Sequence, residues 1–173
     1  MKELILGGVR SGKSRLAEQR ALESRLAVVY IATATPGDEE MRARIEEHRK
    51  RRPMGWLTVE EPRAIAQAVR KHAARDRCIL IECITLWLTN LLCAHTPQEL
   101  ERERKALLSA AEEMPGHLIF VSNETGLGIV PTDELSRRFS EEAGLFHQDL
   151  ARICDRVTLV AAGLPLMLKG GSL

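Results

Sequence analysis

Five short apolar runs punctuate the chain: Glu3–Leu6, Ala27–Ile31, Cys78–Ile81, Leu118–Val121 and Val157–Val160. Each ends in a polar or glycine-bearing turn. A strand with one wet face alternates apolar and polar residues, whereas continuous runs predict strands buried on both faces of a parallel sheet, with helices packed on either side. Helix-like segments separate the runs over Arg15–Leu26, Glu39–Lys50, Arg63–Arg75, Leu86–Cys93, Pro97–Met114, Pro131–Phe139 and Glu141–Cys154. Thr96 ahead of Pro97, with Glu99 following, is a helix-start signal: an N-cap residue and then proline in the first helical position. The tail Lys169–Leu173 reads as frayed. The pattern predicts one α/β three-layer domain over residues 1–173 with a mainly parallel central sheet.

The first strand runs into Gly7, Gly8, Val9, Arg10, Ser11, Gly12, Lys13 and Ser14, a complete G-x-x-x-x-G-K-S loop. Placed between a strand-like and a helix-like segment, this is a phosphate-binding loop. Its glycines let backbone N–H groups turn around phosphate oxygens, Lys13 brings charge to the β/γ-phosphates, and the Ser14 hydroxyl can ligate Mg²⁺. The following helix adds its positive N-terminal end. The expected class is therefore a P-loop NTPase-type domain that binds ATP or GTP with Mg²⁺.

Charge excludes more than it suggests. Across 173 residues, 25 basic side chains meet 24 acidic ones, so the net of +1 gives no reason to expect nucleic acid or a membrane surface. No apolar stretch reaches the roughly 18 residues of a membrane span. Strand and phosphate loop also occupy the place of a signal peptide, so a cytoplasmic protein is expected. Cys78, Cys83, Cys93 and Cys154 form no C-x-x-C pair and read as reduced core or near-core thiols.

Glu82 is the candidate acid for holding Mg²⁺ beside the phosphates, and Glu124 competes with it. Glu82 ends the run Cys78–Ile81, and a carboxylate there is costly unless paired or metal-bound. Glu124 follows the run Leu118–Val121, and ligands of open parallel sheets collect at these carboxyl ends. Farther along the surface, Asp38 to Pro53 reads as a helix with acids in its first turn and bases in its last, which suits the macrodipole. Met41, Ile45 and His48 fall on one face. His48 has a plain reading, a partly buried helix-end histidine beside the basic cap Arg49, Lys50, Arg51 and Arg52. It also has a chemical one, in which those cations keep the imidazole neutral and nucleophilic while neutralising a triphosphate.

Taken together, these motifs resemble the bifunctional adenosylcobinamide kinase and adenosylcobinamide-phosphate guanylyltransferase family of cobalamin biosynthesis. The matching stretches are Gly7–Arg15, Tyr30–Ala34, Asp38–Met41 with Arg44, Ile45 and His48, Arg52-Pro53 with Trp56, Glu60, Glu82–Leu92 and Val121–Pro131. The resemblance implies phosphorylation of the aminopropanol hydroxyl of adenosylcobinamide, then GMP transfer from GTP to that phosphate through a guanylyl-histidine at the position of His48. It implies nucleotide contacts at Thr33, Arg49 to Arg52 and Glu60, no organic cofactor, and a symmetric homotrimer. Trp56 and Trp87 read as packing residues. The chain departs from the family at Glu82, where aspartate is usual, at Ser140-Glu141 in place of Arg-Asp, and at His147 in place of asparagine. The Asn-Lys-x-Asp guanine signature of switch GTPases is absent. The rival readings are a plain P-loop small-molecule kinase with a structural His48, and a nucleotide-dependent regulatory module.

Overall fold

The computed structural model describes residues 1–37, 39–94 and 96–171, and for residues 40, 41, 44, 48, 51 and 94 it describes the backbone only. The expectations for Asp38 and for the side chains of Met41, His48 and Arg51 lie outside the described residues.

Seven strands form one sheet: β1 (Lys2–Gly7), β2 (Ala27–Ala32), β3 (Leu57–Glu60), β4 (Arg77–Glu82), β5 (His117–Asn123), β6 (Arg156–Ala161) and β7 (Leu164–Lys169), in the order β3-β2-β4-β5-β1-β6-β7. All neighbours are parallel except the hairpin β6–β7. The helices are α1 (Lys13–Glu23), α2 (Glu39–Arg51), α3 (Ile65–His72), α4 (Ile84–Ala94), α5 (Pro97–Glu113) and α6 (Glu134–Ile153).

Alternate residues of each buried strand serve the two faces of the sheet. Leu4, Leu6, Ile79, Ile81, Leu118 and Phe120 pack with residues of α3 to α6, including Trp87 and Phe146, whereas Ile5, Tyr30, Leu80, Ile119 and Val121 meet Ala17 and Ala21 of α1. Trp87 is fully buried, donates its indole N–H to the Arg63 carbonyl at 2.7 Å and packs on Phe146, as a packing residue should. The Thr96 start signal forms a full capping box with Glu99.

Several boundaries move. The two segments expected on either side of Ser140 are one continuous helix, α6, which starts at Glu134 because the Asp133 side chain caps the Ser136 N–H at 2.8 Å. Two edge strands add to the five expected, and one of them takes in the start of the supposedly frayed tail. Lys169 closes β7 with its ammonium on the carbonyls of Ala151 and Arg152 at 2.9 and 3.0 Å.

Candidate active site

The phosphate loop folds tightly against the end of β1. A side chain at Gly7 would put its Cβ 2.5 Å from the Val160 carbonyl and closer still to Ser11, so only glycine fits there. Gly12 takes φ +97° as it caps α1, and the Ser11 carbonyl accepts from Gly163 N–H at 2.8 Å, which props the loop on the β6–β7 turn. Lys13 lies buried with its ammonium 3.1 Å from the Gly8 carbonyl. The Ser11 hydroxyl is buried and has no hydrogen-bond partner among the described residues, as expected of a donor in a cradle built for phosphate oxygens.

The carboxyl ends of five strands converge here. Gly7 is level with Asn123, and Ala32 with both Glu60 and Glu82. The ends of β2 to β5 border a cavity of about 610 Å³ walled by Lys13, Ser14, Tyr30, Glu82 and Asn123 on the sheet side and by Arg42, Ile45, Glu46 and Arg49 of α2. Among the described residues four cations, Lys13, Arg42, Arg49 and Arg52, face three acids, Glu46, Glu60 and Glu82, a set that favours an anion.

Of the two competing acids, Glu82 reaches the loop. One carboxylate oxygen accepts from the Ser14 hydroxyl and the other from Tyr30 Oη at 2.7 Å. Glu124 turns instead to its own loop, accepting from Gly126 N–H at 2.6 Å, with its other oxygen 4.0 Å from His147 Nδ1. His147, one of the departures from the family, hydrogen bonds Ser122 Oγ at 2.7 Å. Burial holds its imidazole below the ordinary histidine range against the opposing pull of Glu124.

Ser14 and Glu82 fit Mg²⁺. Among the described residues no group of three or more His, Cys, Asp or Glu side chains could cage a metal. Mg²⁺ at nucleotide sites takes one or two protein oxygens and completes its shell with phosphates and water, so a hydroxyl beside a carboxylate is the donor set it needs.

The other expected site residues divide. Arg49, Arg52 and Glu60 line the cavity, with Arg49 ion-paired to Glu60 and the Arg52 guanidinium 3.7 Å above the Tyr30 ring. Lys50 is exposed and lies away from the cavity wall. Thr33 is fully buried and away from the cavity: its hydroxyl donates to the Cys83 carbonyl at 2.8 Å and accepts from the Cys83 N–H at 2.7 Å, tying the end of β2 to the turn into α4. Position 48 lies on the backbone of α2 between Ile45 and Arg49, and Arg52 follows the end of that helix.

Sequence reasoning passed over Tyr30, Arg42 and Asn123. Tyr30 is the only tyrosine of the chain and sits in an otherwise aliphatic run, and a buried phenol needs a polar partner. Asn123 lines the cavity, donates to Thr85 at 3.2 Å and keeps a buried carbonyl oxygen with no partner among the described residues.

Residues 3–168 match the sequence family described as cobinamide kinase / cobinamide phosphate guanyltransferase. The bifunctional adenosylcobalamin biosynthesis protein CobP of Pseudomonas aeruginosa is 61% identical over 170 residues, 98% of each chain. CobU of Escherichia coli K12, which carries the same description, is 37% identical over 182 residues, covering 98% of this chain and all of its own. Among solved structures, a Pyrococcus horikoshii OT3 protein shares the fold with a TM-score of 0.54 at 11% identity, covering 99% of this chain and 87% of the other. A DnaB-like replicative helicase does so at 0.51 and 14%, covering 91% and 46%. Fold, phosphate loop and end-to-end sequence similarity agree: the chain is a P-loop α/β protein and belongs to the cobinamide kinase / cobinamide phosphate guanyltransferase family.

Proposed function

We propose that this protein, acting as a single nucleotide-binding domain, phosphorylates the aminopropanol hydroxyl of adenosylcobinamide with ATP or GTP. It then transfers GMP from GTP to the new phosphate, giving adenosyl-GDP-cobinamide and pyrophosphate. The observation that carries the reading is one cavity with the phosphate loop, Lys13 and the Ser14–Glu82 pair on one wall and the basic stripe of α2 on the other.

In the kinase step the substrate hydroxyl oxygen attacks the γ-phosphorus, the bond to the β-phosphate oxygen breaks, the nucleoside diphosphate leaves, and the hydroxyl proton passes to solvent. Lys13 and the loop amides hold the β/γ-oxygens and neutralise charge as it shifts to the leaving group. Ser14 and Glu82 hold Mg²⁺, whose chemistry is further charge neutralisation on the phosphates.

In the transferase step a His48 ring nitrogen attacks the α-phosphorus of GTP, the α–β bridge breaks, and pyrophosphate leaves along the same loop. The phosphate oxygen of adenosylcobinamide phosphate then displaces histidine from phosphorus, so two easier displacements replace one hard one. Arg49 and Arg52 supply positive charge beside the attacked phosphate, and Glu60 offers acceptors to guanine or ribose donors. The proposal extends to a cytoplasmic homo-oligomer, trimeric by family resemblance. Among the described residues no helix is long and apolar enough to cross a membrane, and every residue of the edge strand β7 is exposed, Leu164, Leu166, Met167 and Leu168 included.

The test is product analysis by mass spectrometry after incubation with Mg²⁺, GTP and either adenosylcobinamide or its phosphate. Both substrates yield adenosyl-GDP-cobinamide under this reading. Accumulation of adenosylcobinamide phosphate without a GDP derivative reduces the protein to a kinase.

A further inference from the structure

Tyr30 lies inside β2, 52 residues from the acid it touches. Its side chain is 2% exposed, yet its hydroxyl is neither idle nor bound to backbone: it donates to Glu82 Oε2 at 2.7 Å. The other Glu82 oxygen, Oε1, accepts from the Ser14 hydroxyl. The two oxygens of one carboxylate therefore have separate duties, one turned to the phosphate loop and one fastened to the sheet.

The phenol is well suited to fasten it. The Arg52 guanidinium stacks 3.7 Å from the ring centroid, and the Trp56 ring lies at 6.5 Å with an interplanar angle of 28°. A ring packed this closely keeps its rotamer, so its hydroxyl stays at a fixed point in space. Glu82, by contrast, has three side-chain torsions of its own. Loss of the Tyr30 hydrogen bond removes one of the contacts that orient the Glu82 carboxylate toward Ser14.

We infer that Tyr30 is a positioning residue for nucleotide-bound Mg²⁺: its hydroxyl holds Glu82 Oε2 so that Oε1 faces the Ser14 hydroxyl and the metal. The inference rests on the reading of Glu82 and Ser14 as the metal's protein oxygens. Arg52, as it stacks on the same ring, joins this acid to the basic end of α2, so the arrangement spans both walls of the cavity.

Groups that orient a metal-binding side chain through its far oxygen or nitrogen generally change metal affinity by about 10- to 100-fold when removed. Tyr30→Phe deletes only the hydroxyl and keeps the ring for Arg52 and Trp56. Mn²⁺ in place of Mg²⁺, titrated by electron paramagnetic resonance into the GTP-bound protein, should bind Tyr30→Phe about 10-fold more weakly than wild type. GTP affinity measured in EDTA for both proteins separates a loss of metal from a loss of nucleotide. Glu82→Gln serves as the reference. If it weakens Mn²⁺ and Tyr30→Phe does not, the positioning role is overturned while the role of Glu82 stands. If neither variant alters Mn²⁺ binding, the metal site has been misread and the inference falls with it.

A measurement on unmutated protein guards against a folding defect in the variant. Because Tyr30 is the only tyrosine, carbon-13 placed at Cζ gives one resonance. That resonance should move when Mg²⁺ is added to the wild-type GTP complex and stay still in Glu82→Gln. A resonance that ignores Mg²⁺ in the wild type overturns the inference.

Discussion

Replacing Thr33 by valine separates a structural tie from a nucleotide contact, the role that family resemblance implies for this residue. The Thr33 hydroxyl makes two hydrogen bonds, both to Cys83 and both fully buried. In Thr33→Val the Cys83 carbonyl still accepts from Trp87 N–H at 3.1 Å, but the Cys83 N–H loses the acceptor it uses. A buried unsatisfied donor costs about 1–3 kcal/mol, and the second lost hydrogen bond adds about 0.5–1.5 kcal/mol. The new methyl offsets part of this, so the expected loss is about 2–3 kcal/mol. For a chain of this length that lowers Tm by about 5–10 °C. Urea unfolding followed by circular dichroism, with a fluorescent GTP analogue titrated into the folded variant, reads both quantities. The structural account expects the stability loss with nucleotide affinity within about 3-fold of wild type. Stability unchanged to within about 0.5 kcal/mol, together with a tenfold or greater loss of affinity, would refute it and return Thr33 to the ligand.

Other outcomes follow from the packing and from buried charges. Arg104 joins α5 to α6 through Glu142 at 2.5 Å and Asp149 at 3.3 Å, over the face of Phe146. Both acids are partly hydrated, so Arg104→Ala should cost about 1.5–3 kcal/mol, below the full buried-pair value, and Arg104→Met less, as chemical denaturation will show. Glu3 is buried at the opposite end of the sheet. Burial alone would raise its pKa, but the hydrogen bond from His117 at 2.9 Å and the charge of Arg156 prevail and hold it below its ordinary 4.5. A lowered carboxylate pKa gives stability that is full above 4.5 and lost as pH falls through the folded value. Urea midpoints measured across that acid range should therefore fall less steeply for Glu3→Gln than for wild type. Cys93 is exposed, whereas burial pushes Cys78 to about 11 and Cys154 to about 12 and raises Cys83. A maleimide at about pH 7.5 should label one site in the folded protein and four only after unfolding, a count that intact-mass spectrometry gives directly.

What the sequence disclosed follows the strength of each local signal. The five central strands are legible because burial on both faces demands unbroken apolar runs, and the phosphate loop is legible because its spacing is dictated by backbone geometry. The edge strands are not. β3 exposes three of its four residues and β7 all six, so neither needs an apolar run, and Pro165 is tolerated in β7 only because that strand is an edge. The break expected at Ser140 does not occur, since serine costs a helix interior only a few tenths of a kcal/mol and α6 buries Ala143, Phe146 and Leu150 just beyond it. In the site, Glu82 was legible as the candidate acid because it ends a buried run, and its contact with Ser14 separates it from the competing Glu124. Tyr30 was not legible, because its partner is set by sheet order and not by spacing.

The central claim is that one phosphate loop serves both γ-phosphoryl transfer and a covalent GMP intermediate on His48. The direct measurement is incubation with Mg²⁺ and GTP labelled at the α- or, separately, the γ-phosphate, then denaturation and treatment with acid or alkali, for wild type and His48→Ala. The account predicts label retained from the α-position only, stable to alkali, released by acid and absent from the variant. GTP that binds yet leaves no α-label on the protein would contradict it, and His48 would then be a structural or phosphate-neutralising residue of a plain kinase.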